Sequence, residues 1–88
     1  MTPTGHDRAL RATVVRLVAQ GFSNHQIATR VHLAESSTAH FVSSLMKASA
    51  ASNRAHLVTR ALCLGWVTLS YVYGDVGAET IMLSEFQR

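Results

Sequence analysis

The chain has 88 residues, of which 48% are hydrophobic and only 15% are charged, and its formal net charge is +3. This length allows one domain with a modest core, and this hydrophobic content excludes a disordered chain. The single cysteine excludes an internal disulfide, and the longest apolar-rich run, 61–67, is too short to cross a membrane. With no apolar signal-peptide core at the N-terminus, we expect a cytoplasmic protein that does not enter membranes.

The charges are distributed unevenly along the chain. Residues 1–64 hold seven of the eight Lys and Arg residues against two acidic residues, whereas 65–88 hold one cation and three acidic residues. A basic body with an acidic tail is compatible with nucleic-acid binding. A mildly basic, solvated surface explains the same pattern.

Two helices are predicted in the first third of the chain. Apolar residues recur at helical spacing from Leu10 to Val18, which predicts an amphipathic helix over about 7–20 that ends before Gly21. Residues 1–6 are expected to form a loose start. Ser23 and Gln26 then form a capping-box pattern, which predicts a second, short helix over about 24–31.

Two further helices follow. A third helix is predicted over about 35–48, after a tight turn, and its sequence contains no Lys or Arg before Lys47. Ser52 or Asn53 caps a fourth helix over about 53–64, which Gly65 ends. Cys63, between two leucines near the end of this helix, is expected to be buried.

The C-terminal extension, 66–88, changes in character. The stretch 66–73 is β-branched and aromatic with alternating apolar positions, which predicts a strand. Gly74, Asp75 and Gly77 predict a turn, and 78–86 fits either a partner strand, which would complete a short β-hairpin, or a short helix. The aromatic side chains of the extension fit equally well as part of the core or as a docking surface for a protein partner.

The order and spacing of these features resemble the LuxR-type helix-turn-helix domain. The matching residues are Leu17, Gly21, Phe22, Ser23, Asn24, Ile27, Ala28, Arg54 and Ala55. The resemblance covers about 7–64 and implies a mainly α fold of four helices, with residues 1–65 as the domain. It also implies that the third helix lies in the DNA major groove and that the fourth pairs two protomers.

The resemblance therefore supplies a candidate site. The implied partners are double-stranded DNA and a second copy of the chain, and the implied function is sequence-specific regulation of transcription by a dimer. The expected DNA-binding residues are Asn24, His25, Arg30, Ser36, Ser37, Ala39, His40, Ser43, Lys47 and Arg54. The expected dimer interface is a stripe of Leu57, Ala61 and Leu64, with Val58 and Leu62 facing the core; alternatively, all five belong to the core.

The chain departs from the family pattern in the third helix. Ala34 stands where the family usually has a Ser or Thr cap, although Ser36 is a substitute one turn later, and Ala39 stands at a position that is often cationic. Few cations there means few phosphate contacts from this helix. Two interpretations follow: a smooth helix that enters the groove with cations around its rim, or a degenerate helix-turn-helix that binds a transcription factor or polymerase subunit without reading DNA. We prefer the first.

The sequence does not suggest an enzyme. The five histidines include no pair at i, i+3 or i, i+4, so no helix presents a metal-binding pair. No phosphate-binding glycine loop or serine elbow is present. We therefore expect no enzymatic activity, no cofactor and no metal.

Overall fold

Five helices make up the part of the chain that this computed structural model describes, residues 5–74, with side chains described from residue 8 onward. They are α1 (Gly5–Ala19), α2 (Asn24–Val31), α3 (Glu35–Ser49), α4 (Arg54–Cys63) and α5 (Leu69–Tyr73). The first four confirm the predicted helices with small shifts at their ends, and α1 begins at Gly5, within the segment expected to be a loose start. The predicted mainly α, helix-turn-helix fold is confirmed. None of the helices in residues 5–74 is long and apolar enough to cross a membrane.

The core lies between α1, α2, α3 and α4. The helix α1 packs against α2 and α4, and α3 packs against the same two helices from the other side. Each helix contributes one buried face, and that of α3 includes the hydroxyl side chains of Thr38 and Ser49. The largest fully buried side chains include Val14, Val15, Ile27 and Leu57. Since each buried aliphatic side chain stabilises a fold by about 1.5–3 kcal/mol, these contacts hold the second and third helices in place.

Capping explains where the helices begin. The Ser23 hydroxyl accepts a hydrogen bond from the Gln26 amide (3.2 Å), and the Gln26 side chain accepts one from the Ser23 amide (2.9 Å). This reciprocal pair confirms the predicted capping box. Asn53, rather than Ser52, caps α4 by accepting from the His56 amide at 2.8 Å. Ala34 at the start of α3 makes no side-chain cap, and Ser36 does not replace it.

The expected strand at 66–73 is wrong, because Leu69–Tyr73 forms the short helix α5. The Thr68 hydroxyl caps it by accepting from the Tyr71 amide at 3.1 Å. Val67 and Val72 are buried in the domain core, whereas alternation would have buried Val67 together with Leu69. Packing against α1 therefore overrode the β propensity of the sequence. The turn at 75–77 and the strand or helix at 78–86 lie outside the described residues.

Arginines of α1 hold this extension against the domain. The guanidinium of Arg11 lies 4.4 Å from the centre of the Trp66 ring, and that of Arg16 lies 5.2 Å from the centre of the Tyr71 ring. Such cation–π contacts contribute about 0.5–2 kcal/mol each. Trp66 packs half-buried on the core. Tyr71 is 39% exposed and Tyr73 49% exposed. The extension thus covers part of the core.

The helix α4 corrects two further expectations. Leu57 and Ala61 are fully buried in the domain's own core, as is most of Val58, whereas 45% of Leu64 is exposed. Leu57 and Ala61 therefore have no surface for a second copy, and their assignment to a dimer interface is wrong. Cys63 is exposed rather than buried, because it lies off the face of α4 that holds the buried residues Leu57, Val58 and Ala61.

A left-handed residue ends α3, and it provides a test of the fold. Ala50 has a φ of 59°, a conformation that costs an L-residue roughly 1 kcal/mol more than glycine. We expect Ala50→Gly to raise the free energy of unfolding by about 0.5–1 kcal/mol, measured by urea denaturation. The control Ala48→Gly, at an exposed position inside the same helix, should lower it by about 1 kcal/mol. Equal losses in both variants would contradict the left-handed end of α3.

Candidate nucleic-acid interface

A tight turn sets α3 against α2. His32 adopts the left-handed conformation (φ 62°), and its amide donates to the Ala28 carbonyl. The Leu33 amide donates to the same carbonyl at 3.0 Å. These bonds satisfy the end of α2 and reverse the chain within three residues. The two helices then pack on each other through their buried faces, so the outer face of α3 has a fixed orientation.

The outer face of α3 is polar and almost free of charge. Its buried side holds Thr38, Val42, Leu45 and Ser49. The exposed side chains on the other side include Ser36, Ser37, His40, Ser43 and Lys47, all predicted to contact DNA. Ala39 lies half-buried at the edge of this face. The structure thus brings the predicted residues of α3 onto one accessible surface.

The middle of this face forms a shallow, open groove. It is lined by Ser36, Ser37, His40, Phe41 and Ser44. The Ser44 hydroxyl donates to the His40 carbonyl at 3.0 Å, so its proton is used within the helix. A hydroxyl-lined helix face can approach a base edge or a phosphate closely, because its side chains are short.

The N-termini of α2 and α3 come together at one end of this surface. The His25 Nδ1 atom lies 3.1 Å from the Glu35 carboxylate, with both side chains mostly exposed. His25 was predicted to contact DNA, whereas Glu35 had no predicted role. An exposed pair of this kind contributes at most about 1 kcal/mol to stability. It does place the only described acidic side chain of α3 beside a histidine that offsets its charge when protonated.

Two arginines donate hydrogen bonds within the protein, and one of them, Arg54, was predicted to bind DNA. Arg54 donates to the Asn24 side chain (2.8 Å) and to the Phe22 carbonyl (2.7 Å). Arg60 donates to the Ser49 carbonyl at 2.6 Å. Asn24 and Arg54, both predicted to bind DNA, are therefore bonded to each other. Thirty residues separate them, and no local sequence signal links positions so far apart.

Two exposed cations remain on the helix-turn-helix pair. Lys47 is exposed in the last turn of α3. Arg30 is exposed in the last turn of α2, with its guanidinium 4.2 Å from the centre of the Phe22 ring. Stacking on one face of the guanidinium leaves its N–H groups at the edges free to donate. Both Arg30 and Lys47, which were predicted to bind DNA, are thus accessible to a phosphate.

The chain is a helix-turn-helix protein. It has a short helix, α2, a three-residue turn and a longer helix, α3, with an exposed polar face. The family model for bacterial regulatory proteins of the LuxR family matches residues 11–61, more than half of the chain. The chain belongs to this family, whose members are DNA-binding transcription regulators. No curated protein and no solved structure matches the chain.

Proposed function

We propose that the chain is a dimeric, sequence-specific regulator of transcription that inserts α3 into the major groove of duplex DNA. The observation that carries this proposal is the exposed polar face of α3, held at a fixed angle by α2 within the family's own fold. The major groove is about 12 Å wide and admits an α-helix.

Phosphate contacts in this proposal come from the rim of the surface. Arg30 and Lys47 supply the two cations. The amides of the first turns of α2 and α3 supply uncharged donors, because a helix N-terminus leaves its first amides without partners inside the helix. His25, next to the start of α2, adds a donor. This set of phosphate contacts is smaller than the set predicted from the sequence, because Arg54 donates its hydrogen bonds to Asn24 and Phe22.

Base contacts come from the centre of the face. His40 is the best candidate, because its ring can donate to or accept from a base edge. Ser36, Ser37 and Ser43 offer hydroxyls, which discriminate weakly because each both donates and accepts. Ala39 is suited to contact a thymine methyl group. Specificity then depends partly on DNA shape and on the spacing of two half-sites.

A dimer is part of this proposal because two α3 helices about one helical turn of DNA apart would contact successive major grooves. Leu64 is the member of the expected interface that keeps an exposed surface, and we propose it as the dimer contact. Because bacterial DNA is cytoplasmic, we also propose that the protein acts in the cytoplasm.

The test is a fluorescence-anisotropy titration of the protein against a random-sequence duplex at several salt concentrations. Each phosphate that a Lys or Arg neutralises makes the slope of log K against log salt steeper by about 0.9. A slope that corresponds to two or more contacts per protomer supports groove binding. No binding at low salt would overturn the proposal.

Replacing His40 should alter specificity more than general affinity. We expect His40→Ala to reduce discrimination at one position of a selected site by about 1–3 kcal/mol. Binding to random duplex should change much less, because no phosphate contact is lost. A competition assay between the selected site and its single-base variants measures the difference. Equal losses on specific and random DNA would remove His40 from the base-reading set.

A second candidate function is a protein-binding module that acts on a transcription factor or polymerase subunit without reading DNA. One observation favours it: the exposed face of α3 carries no cation before Lys47 and begins with Glu35. Failure of the salt titration would favour this candidate.

A further inference from the structure

The side chain of Arg54 connects the starts of two helices that lie far apart in sequence. Arg54 is the first residue of α4. Its two terminal nitrogens donate to Asn24, the first residue of α2, and to the carbonyl of Phe22, which precedes the Ser23 cap. The two bonds therefore hold the α2 N-terminus on both sides of its cap.

The packing of the helices makes this connection significant. Both α2 and α4 pack mainly on α1 and α3, so the Arg54 side chain provides a direct polar link between them. A second guanidinium, that of Arg30, lies over the ring of Phe22. The carbonyl of Phe22 thus accepts a hydrogen bond from Arg54 of α4, and its ring contacts Arg30 of α2. An eight-residue helix such as α2 needs such tertiary support, because isolated helices of that length are unstable in water.

The position of Arg54 is unfavourable for α4 alone. A cation in the first turn of a helix opposes the helix dipole. Two hydrogen bonds from a charged donor outweigh that unfavourable interaction. The arginine at this position is therefore best explained by its bonds to α2.

We propose that Arg54 is a positioning residue for DNA binding, which sets the N-terminus of α2 through Asn24 and Phe22 and does not itself contact a phosphate. This inference rests on the proposed function. With Arg54 in place, the amides at the start of α2 keep one orientation. Without it, the start of α2 moves relative to α3, and the amides no longer meet the phosphate that α3 positions.

The test compares DNA affinity in four forms of the full chain: the unaltered protein, Arg54→Lys, Asn24→Ala and the double variant. Lysine keeps the charge but cannot make both bonds, because it lacks the planar fork of the guanidinium. We expect each single variant to lose about tenfold in affinity with an unchanged salt slope. The double variant should lose no more than the worse single variant, because the residues act through one link. Arg8→Lys, at an exposed arginine of α1, is the matched control and should change nothing.

Two outcomes would overturn the inference. Arg54→Lys with unaltered affinity would mean that a point charge suffices, as for a direct phosphate contact. Additive losses in the double variant would mean that Asn24 and Arg54 act separately.

Hydrogen exchange of the free protein gives a readout that does not depend on DNA. In Arg54→Lys we expect faster exchange confined to the Gln26 and Ile27 amides, which donate to the hydroxyl and carbonyl of the Ser23 cap. Uniformly faster exchange across α1, α3 and α4 would reduce Arg54 to a general stabilising role and overturn the inference. If the unaltered protein does not bind duplex, the proposed function fails, and exchange still decides whether Arg54 holds α2.

Discussion

Replacement of both Arg30 and Lys47 by glutamine should lower affinity for random duplex roughly 100-fold or more and reduce the salt slope by about 1.8 per protomer. The slope follows from losing two phosphate contacts at about 0.9 each. The affinity follows from about 1.5–3 kcal/mol for each charged hydrogen bond. The effect should be this large because Arg54, Arg60, Arg11 and Arg16 are engaged within the fold. Anisotropy titrations over a range of salt concentrations measure both quantities.

Single variants that change the net charge equally distinguish the loss of a direct phosphate contact from a general effect of net charge on binding. Lys47→Gln and Ser70→Glu each lower the net charge by one, but Ser70 is exposed on α5, outside the helix-turn-helix pair. We expect Lys47→Gln to reduce the salt slope by about 0.9 and Ser70→Glu to change it much less. Arg30→Lys, which keeps the charge and loses the planar stack on Phe22, should retain most of the slope. Equal effects of Lys47→Gln and Ser70→Glu would show that the protein responds only to its total charge.

Truncation of Leu57 should destabilise the domain severely. The side chain is fully buried, and removing a buried leucine side chain down to alanine costs about 2–5 kcal/mol through lost transfer energy and the remaining cavity. Small domains have only about 5–15 kcal/mol of stability in total. We therefore expect Leu57→Ala to unfold at a much lower urea concentration than the unaltered protein, measured by circular dichroism.

The matched variant Leu64→Ala distinguishes the core from the proposed dimer surface. Leu64 is 45% exposed, so truncation should change the unfolding free energy of the protomer by only about 0.5 kcal/mol. It should instead raise the dissociation constant of the dimer, measured by sedimentation equilibrium. If Leu57→Ala weakened the dimer while leaving the fold intact, the burial of Leu57 in the protomer's own core would be wrong. If Leu64→Ala left self-association unchanged, Leu64 would not be the dimer contact.

The engagement of its arginines changes how the protein's basic charge should be interpreted. Net charge and its uneven distribution are consistent with nucleic-acid binding, yet four arginines of the basic body act mainly within the fold. Their charge still attracts DNA over distances of about one Debye length, roughly 10 Å at moderate salt. In the proposed complex, however, the direct phosphate contacts come from Arg30, Lys47 and the helix N-termini. The chain should therefore bind weakly to nonspecific DNA compared with relatives whose third helix carries cations.

Local sequence patterns were sufficient to predict the four helices and the helix-turn-helix. Helical periodicity, the Ser23–Gln26 capping box and the terminal glycines act between residues a few positions apart, so local chemistry fixes them. The exposed set on α3 was predictable for the same reason, because residues three and four apart share a helix face.

Contacts between residues far apart in the chain could not be predicted from such local patterns, because they depend on how the helices pack. The tertiary structure paired Arg54 with Asn24, laid Arg11 over Trp66, buried Leu57 while exposing Leu64, and made a helix of 69–73. Each of these outcomes depends on a surface contributed by a distant part of the chain. An arginine has the same local pattern whether it faces a phosphate, a carbonyl or an aromatic ring, so its partner appears only once the helices are packed.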